Sequence, residues 1–172
     1  ACTAVAEQAA KIDGVKKILL ADMLEYMHAL PENLAALIAA LATNFSYILA
    51  PATSFGKNVL PRVAGLLDVA QVSDVIRIIA SDTFVRPIYA GNALATVQSH
   101  DNIKLLTIRT TAYLPASLQA ISAPIEIVDK VIEHSAVQWV SQQEHTSERP
   151  ELITARVIIS GGRGLGSVQN FA

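Results

Sequence analysis

The stretch Ala155-Arg-Val-Ile-Ile-Ser-Gly-Gly-Arg-Gly-Leu-Gly-Ser167 places an apolar run directly before a glycine-rich turn that carries one arginine. The apolar run predicts a β-strand over residues 155–160. Glycine permits positive φ angles and close approach of the backbone to a ligand, and a guanidinium offers a planar cationic fork. Turns of this kind hold phosphate groups in α/β folds, so we predict a phosphate turn here.

Few residues follow this turn, and a nucleotide domain needs several more strands and helices beyond its first phosphate turn. We therefore expect residues 155–172 to be the beginning of a second, truncated α/β domain. A polar connector with a proline predicts a linker over residues 147–154, which leaves residues 1–146 as the first domain. Residues 1–13 read as a helix already in progress without an initiating Met, so we expect sequence to be missing at both ends.

Composition excludes several classes of protein. The chain has 172 residues, of which 52% are hydrophobic and 16% charged, and this balance predicts an ordered globular protein. A net charge of −2 gives no electrostatic footprint for nucleic acid or an anionic membrane, and no apolar run reaches the roughly 20 residues of a membrane span. Cys2 is the single cysteine, which excludes a disulfide framework and fits a reducing compartment.

The first half of the chain alternates strand and helix patterns. Short apolar runs at residues 16–22 and 47–52 predict buried strands of a parallel sheet. After Pro31, apolar residues at helical spacing predict a helix to residue 43, and Thr53 or Ser54 predicts the N-cap of a helix over residues 56–68. We therefore expect an α/β fold with a mainly parallel sheet flanked by helices.

The patterns later in the chain add antiparallel structure. Residues 74–79 and 103–109 predict strands, and residues 87–97 predict a hairpin around Gly91-Asn92. Residues 110–124 show no sustained period and predict a long loop. Residues 125–142 fit either an alternating strand, which is slightly favoured, or a helix with Ile132, Ala136 and Val140 on one face.

Three segments together resemble the alpha subunit of electron-transfer flavoprotein. They are Ala50-Pro-Ala-Thr-Ser-Phe-Gly-Lys-Asn-Val-Leu-Pro-Arg-Val-Ala64, Asp82-Thr-Phe-Val-Arg-Pro-Ile-Tyr-Ala-Gly-Asn-Ala93, and Arg149-Pro-Glu-Leu followed by Arg156-Val-Ile-Ile-Ser-Gly-Gly-Arg-Gly164. Their order and spacing also match, and the similarity extends from about Val15 to Phe171. The set is highly specific, whereas any one segment alone is weak.

The resemblance implies an adenine-nucleotide-hydrolase-like first domain followed by an FAD domain that begins near Ala155. It implies a heterodimer with a beta subunit that holds AMP, with FAD held mainly by the second domain of the alpha subunit. Electrons would pass from acyl-CoA or other flavin dehydrogenases to a quinone oxidoreductase or the respiratory chain. Such a protein is an electron carrier rather than an enzyme, and its location would be the bacterial cytoplasm or the mitochondrial matrix.

The resemblance also gives one position a binding role. Arg163 matches the arginine of the family motif that contacts FAD, and Gly162 and Gly164 are its backbone neighbours in the expected site. Most of the FAD site is expected beyond residue 172. On local sequence alone, the turn is compatible with phosphate contact and with a plain strand-to-helix connection.

Two other functions stay open at this point. A stand-alone ATP- or AMP-binding stress-type module predicts ligand contact around residues 50–58. A dinucleotide-dependent oxidoreductase requires a helix after the Arg163 turn and an acidic residue about 20 residues later. For Ser54-Phe-Gly-Lys-Asn58, a capped helix start is favoured over an anion site.

Other candidate residues favour structural roles. His28, His100, His134 and His145 have no ligand spacing, so a metal site is not expected. Ser54 and Ser160 lack the setting of a nucleophile, and carboxylates such as Asp82 and Asp101 are interpreted as solvated loop ends. The segment 82–89 fits either a subunit interface or an interior anchor with Phe84 and Tyr89 packed and Arg86 paired to an acid.

Overall fold

The computed structural model describes residues 2–132, 136–143, 152, 155 and 157–171. It divides into two compact units, one that ends at Trp139 and one that begins at Val140. The domain boundary predicted at residues 147–154 falls almost entirely outside the described residues and stays a prediction.

The described residues of the first unit form three α-helices. They are α1 (Thr3–Ala9), α2 (Pro31–Leu41) and α3 (Ser54–Leu67). Pro31 stands in the first turn of α2, where its missing N–H costs nothing. Thr53 caps α3 by accepting a hydrogen bond from the Gly56 N–H at 3.4 Å, and Asp68 ends the helix in the left-handed conformation. None of the helices among the described residues combines the length and apolar character that crossing a bilayer requires.

The described residues contain eight strands, most of them paired in parallel. They are β1 (Ile18–Leu20), β2 (Tyr47–Pro51), β3 (Gln71–Val75), β4 (Arg77–Ala80), β5 (Thr83–Ile88), β6 (Ala93–Gln98), β7 (Lys104–Ile108) and β8 (Ile125–Ile127). Strands β2, β7 and β3 form a parallel sheet in that order, and β1 pairs in parallel with β8. Strands β4, β5 and β6 form an antiparallel sheet. The predicted α/β fold with a mainly parallel sheet is confirmed.

Two apolar clusters hold the first unit together. The first packs α2 and α3 on the parallel sheet through Ala35, Val59, Leu60, Val63 and Leu105. The second joins the parallel sheet to the antiparallel one through Val72, Val75, Phe84 and Leu106. Residues of β7 take part in both clusters, because neighbouring side chains of a strand point to opposite faces. The centre of the parallel sheet is therefore covered on both faces.

The predicted hairpin around Gly91-Asn92 is confirmed, since β5 and β6 pair in register across residues 89–92. The loop prediction for residues 110–124 is also confirmed, apart from a short 3-10 turn at Thr110–Ala112 and an isolated β-bridge between Leu118 and Ile12. Within the segment 82–89, Phe84 is fully buried but Tyr89 is 80% exposed, so the interior-anchor alternative holds for Phe84 and not for Tyr89, and the subunit-interface alternative stays open.

Three strand predictions need correction. Residues 74–79 form no single strand, because the chain changes sheets at Ile76, whose N–H donates to the Val85 carbonyl at 2.9 Å. The strand favoured over residues 125–142 forms only at its start, as β8 (Ile125–Ile127), and the described residues 128–132 and 136–142 contain neither a strand nor the alternative helix. Residues 155 and 157–160 also lie in no strand, because no described residue pairs with them.

Candidate functional site

The glycine-rich turn of the second unit is a tight reversal of the backbone. Residues Arg163–Leu165 form one turn of 3-10 helix, in which the Leu165 N–H donates to the Gly162 carbonyl at 3.1 Å. The Gly166 N–H donates to the Arg163 carbonyl at 3.1 Å, and Gly166 has a φ of +71°. A glycine is required at that position because side chains rarely adopt such a conformation.

Two apolar side chains close the turn from one side. A Cβ added at Gly161 would lie 2.0 Å from Leu165 Cδ1 and 2.6 Å from Phe171 Cε2, so both side chains pack against the bare backbone of this glycine. The Asn170 side-chain amide donates to the Leu165 carbonyl at 2.6 Å. The sequence analysis did not single out Leu165, Phe171 or Asn170. Apolar residues that flank a run of glycines could have indicated that side chains pack against the turn.

Arg163 lines a cavity of about 390 Å³ together with Gly162, Leu165 and Phe171. Gly162 and Gly164 face open space, since a Cβ added at either would meet no atom within 4 Å. Within the described part of the chain, the guanidinium has neither an ion pair nor a hydrogen bond. The three predicted binding residues, Arg163, Gly162 and Gly164, therefore lie side by side. They present one cation beside exposed backbone, and this arrangement can accept an anionic group. The contact itself stays a prediction.

A second charged group lies in the first unit, where β3 and β7 end. Arg109 Nε donates to Asp74 Oδ1 at 3.0 Å, and a second guanidinium N–H donates to Asp74 Oδ2. The Asp74 N–H donates to Thr107 Oγ1 at 2.8 Å, and Asp74 has a φ of +61° at a register shift in β3. The hydrogen bonds from Arg109 hold the pKa of the Asp74 carboxyl below its ordinary value and raise the pKa of Arg109.

This ion pair predicts a pH-dependent contribution to stability. Asp74→Asn should lower the free energy of unfolding by about 0.5–1 kcal/mol at neutral pH, since the pair is partly exposed and asparagine still tolerates a positive φ. The pKa of Asp74 is lower in the folded state than the unfolded value of about 3.9, so the contribution is present above that value. It is lost as the pH falls through the folded pKa.

Urea unfolding of the wild type and the variant at neutral pH and at steps below about pH 4 measures this difference. The exposed Asp129→Asn is the matched control and should show no such trend. A gap between Asp74→Asn and wild type that stayed constant with pH would mean that the carboxylate charge contributes nothing.

The other candidates occupy structural positions. Asp82 accepts hydrogen bonds from Gln98 and Thr83, which lower its pKa, and Asp101 accepts from the Ala70 N–H at 2.9 Å, as expected for loop-end carboxylates. His28 stacks on Trp139 with ring centroids 3.8 Å apart. Among the described residues, no three His, Cys, Asp or Glu side chains converge on a metal position. His134 and His145 lie outside the described residues.

The geometry defines an α/β protein with a mainly parallel sheet and a separate glycine-arginine turn. A family model described as electron transfer flavoprotein domain matches residues 1–132. The electron transfer flavoprotein subunit alpha of Pseudomonas aeruginosa is 50% identical over 168 residues, which are 98% of this chain and 54% of the relative. The subunit of the same name from Paracoccus denitrificans is 50% identical over 169 residues, 98% of this chain and 54% of the relative.

A more distant relative is the mitochondrial electron transfer flavoprotein subunit alpha of Dictyostelium discoideum, 40% identical over 185 residues, 99% of this chain and 52% of the relative. Because the family model spans most of the chain, this chain belongs to the electron transfer flavoprotein family. The resemblance to the alpha subunit is thereby confirmed, and a stand-alone ATP- or AMP-binding module is not favoured. The chain spans about half the length of these relatives.

Proposed function

We propose that this chain is part of the alpha subunit of a heterodimeric electron-transfer flavoprotein, which carries electrons on FAD. The observation that carries the proposal is the exposed Arg163 between Gly162 and Gly164, in a chain whose relatives are named alpha subunits. The protein would act as an electron carrier without substrate turnover of its own. Its location would be the bacterial cytoplasm or, in a eukaryote, the mitochondrial matrix.

The residues of the turn fit the phosphate-bearing part of such a cofactor. A guanidinium that has no partner among the described residues and glycine backbone without Cβ atoms suit an anion that approaches closely, and the cavity of about 390 Å³ has room for it. FAD supplies the redox chemistry when it is bound, and the protein binds and orients it. Arg163 would bind the anionic part of the cofactor, with Gly162 and Gly164 beside it, in an FAD domain that begins at residue 155.

The partners follow from the name of the relatives. An alpha subunit pairs with a beta subunit, which would hold AMP. Electrons would arrive from acyl-CoA or other flavin dehydrogenases and leave to a quinone oxidoreductase or the respiratory chain. The net charge of −2 gives no support to nucleic acid as a partner.

Arg163→Ala in the full-length subunit, co-expressed with its beta subunit, should weaken retention of FAD. Losing one charge-assisted hydrogen bond costs about 1.5–3 kcal/mol, or about 10- to 150-fold in affinity. Arg163→Lys should recover only part of this, because an ammonium cannot reproduce the planar fork. The measurement is flavin content after extensive dialysis, together with a thermal melt of each variant.

Arg77→Ala is the matched control, since it removes an exposed guanidinium from the first unit. It should leave flavin content unchanged. An Arg163→Ala variant with normal flavin retention would remove this residue from the site. Flavin loss accompanied by a collapsed melt would assign Arg163 a structural role instead.

A further inference from the structure

A polar cavity of about 430 Å³ lies at the carboxyl end of the parallel sheet in the first unit. Its walls come from the chain after β2, the first turn of α3, the end of β3 and the chain after β7. The polar lining residues are Thr53, Lys57, Asp74, Arg109, Thr110 and Thr111. Ligands of α/β proteins bind outside the carboxyl ends of the strands, which is where this cavity lies.

The charge of the cavity is positive. Lys57 and Arg109 oppose the single carboxylate of Asp74, which leaves one net positive charge on the lining. Arg109 already donates to both oxygens of Asp74, whereas Lys57 makes no ion pair or hydrogen bond within the described ranges and acts on Asp74 only through its charge. Arg86 also acts on Asp74 through its charge, and its buried Nε has no hydrogen-bond partner. An anion that entered the cavity would therefore meet the Lys57 ammonium in a region of positive electrostatic potential.

Hydroxyl groups complete the lining. Thr110 and Thr111 form a 3-10 turn directly after Arg109, and Thr53 also lines the cavity. A phosphate group has three terminal oxygens and a charge of about −1.5 to −2, so it can accept from the ammonium and from several hydroxyls at once. A carboxylate has only two oxygens. The number of donors therefore favours phosphate.

We propose that this cavity binds the phosphate group of a small molecule, with Lys57 as its charged contact and Thr110 and Thr111 as hydroxyl donors. Small-molecule sites typically enclose about 300–1,000 Å³, so a cavity of this size has room for more than one phosphate group. The site belongs to the first unit, and its binding does not require flavin.

Titration of the 172-residue chain, followed by amide chemical shifts in NMR spectra, tests the proposal. The probes are inorganic phosphate, ribose 5-phosphate and AMP, with adenosine as the control without phosphate. All three phosphates should give saturable shifts at residues 54–57 and 110–111, and adenosine should give none. A higher affinity for ribose 5-phosphate or AMP than for inorganic phosphate would show which organic group the cavity prefers.

Lys57→Gln should weaken phosphate binding at least about 10-fold, the loss expected for one charge-assisted hydrogen bond. Lys16→Gln is the matched control, because it makes the same charge change at an exposed position before β1 and should leave affinity unchanged. Thr111→Val keeps every charge and should also weaken binding, so it decides the matter if Lys57→Gln does not fold. Absence of saturable shifts with all three phosphates, or equal weakening by the two lysine variants, would overturn the proposal.

Discussion

Phe84→Ala is expected to lower the free energy of unfolding of the first unit by about 3–5 kcal/mol. The Phe84 ring is fully buried between the two sheets, in contact with the cluster of Val72, Val75 and Leu106. Truncation to alanine removes most of this side chain and leaves a cavity that β-strands pinned by hydrogen bonds cannot collapse to fill. A loss of this size is a large fraction of the stability of a typical domain.

Urea unfolding followed by tryptophan fluorescence measures the effect. Trp139 is the single tryptophan of the chain and stacks on His28 in the first unit, so its signal reports on that unit. Tyr89→Ala is the matched control, since it removes an exposed aromatic ring from the same hairpin and should change stability by no more than about 0.5 kcal/mol. Equal losses in the two variants would contradict the packing of Phe84 between the sheets.

Gly56→Ala is expected to destabilise the same unit, at the upper end of the about 1–3 kcal/mol range typical of overpacking. An added Cβ would lie 2.0 Å from the Pro51 carbonyl oxygen and 3.3 Å from Ala50 Cβ. The nearest atom belongs to the backbone of β2, so no rotation of a side chain can relieve the overlap. Relief would require α3 to move away from the sheet that it covers.

Gly65→Ala provides the matched control within the same helix. A Cβ at Gly65 would meet nothing within 4 Å, and alanine in a helix interior is favoured over glycine by about 0.5–1 kcal/mol. The two substitutions should therefore shift the urea midpoint in opposite directions. A Gly56→Ala variant as stable as Gly65→Ala would mean that α3 does not start against Pro51.

The elements that the sequence predicted well are those that local patterns determine. Pro31 and Thr53 mark helix starts through their own backbone and side-chain chemistry, and the hairpin around Gly91-Asn92 joins strands that are neighbours in the chain. Asp74 differs, because its positive φ depends on Thr107 and Arg109, more than 30 residues away. The pattern of residues 74–79 alone does not indicate partners so far along the chain, so it could not predict the change of sheets at Ile76.

The second unit shows the same limit of prediction from local sequence. The apolar run at residues 157–159 resembles a buried strand, but a strand exists only where another strand completes its hydrogen bonds, and the described residues supply none. The turn itself is held by hydrogen bonds between near neighbours, so a turn at residues 161–166 could be predicted from its glycines. Its closure by Leu165 and Phe171 required the structure.

The parallel pairing of β1 with β8 has a consequence for the order of folding. This pairing joins residues 18–20 to residues 125–127, whereas the β5–β6 hairpin closes across only residues 89–92. Closing a loop of about 100 residues costs roughly 3 kcal/mol more entropy than closing one of about four. We therefore expect the short sheet of β1 and β8 to form late on the folding pathway, after the segments between the two strands have condensed.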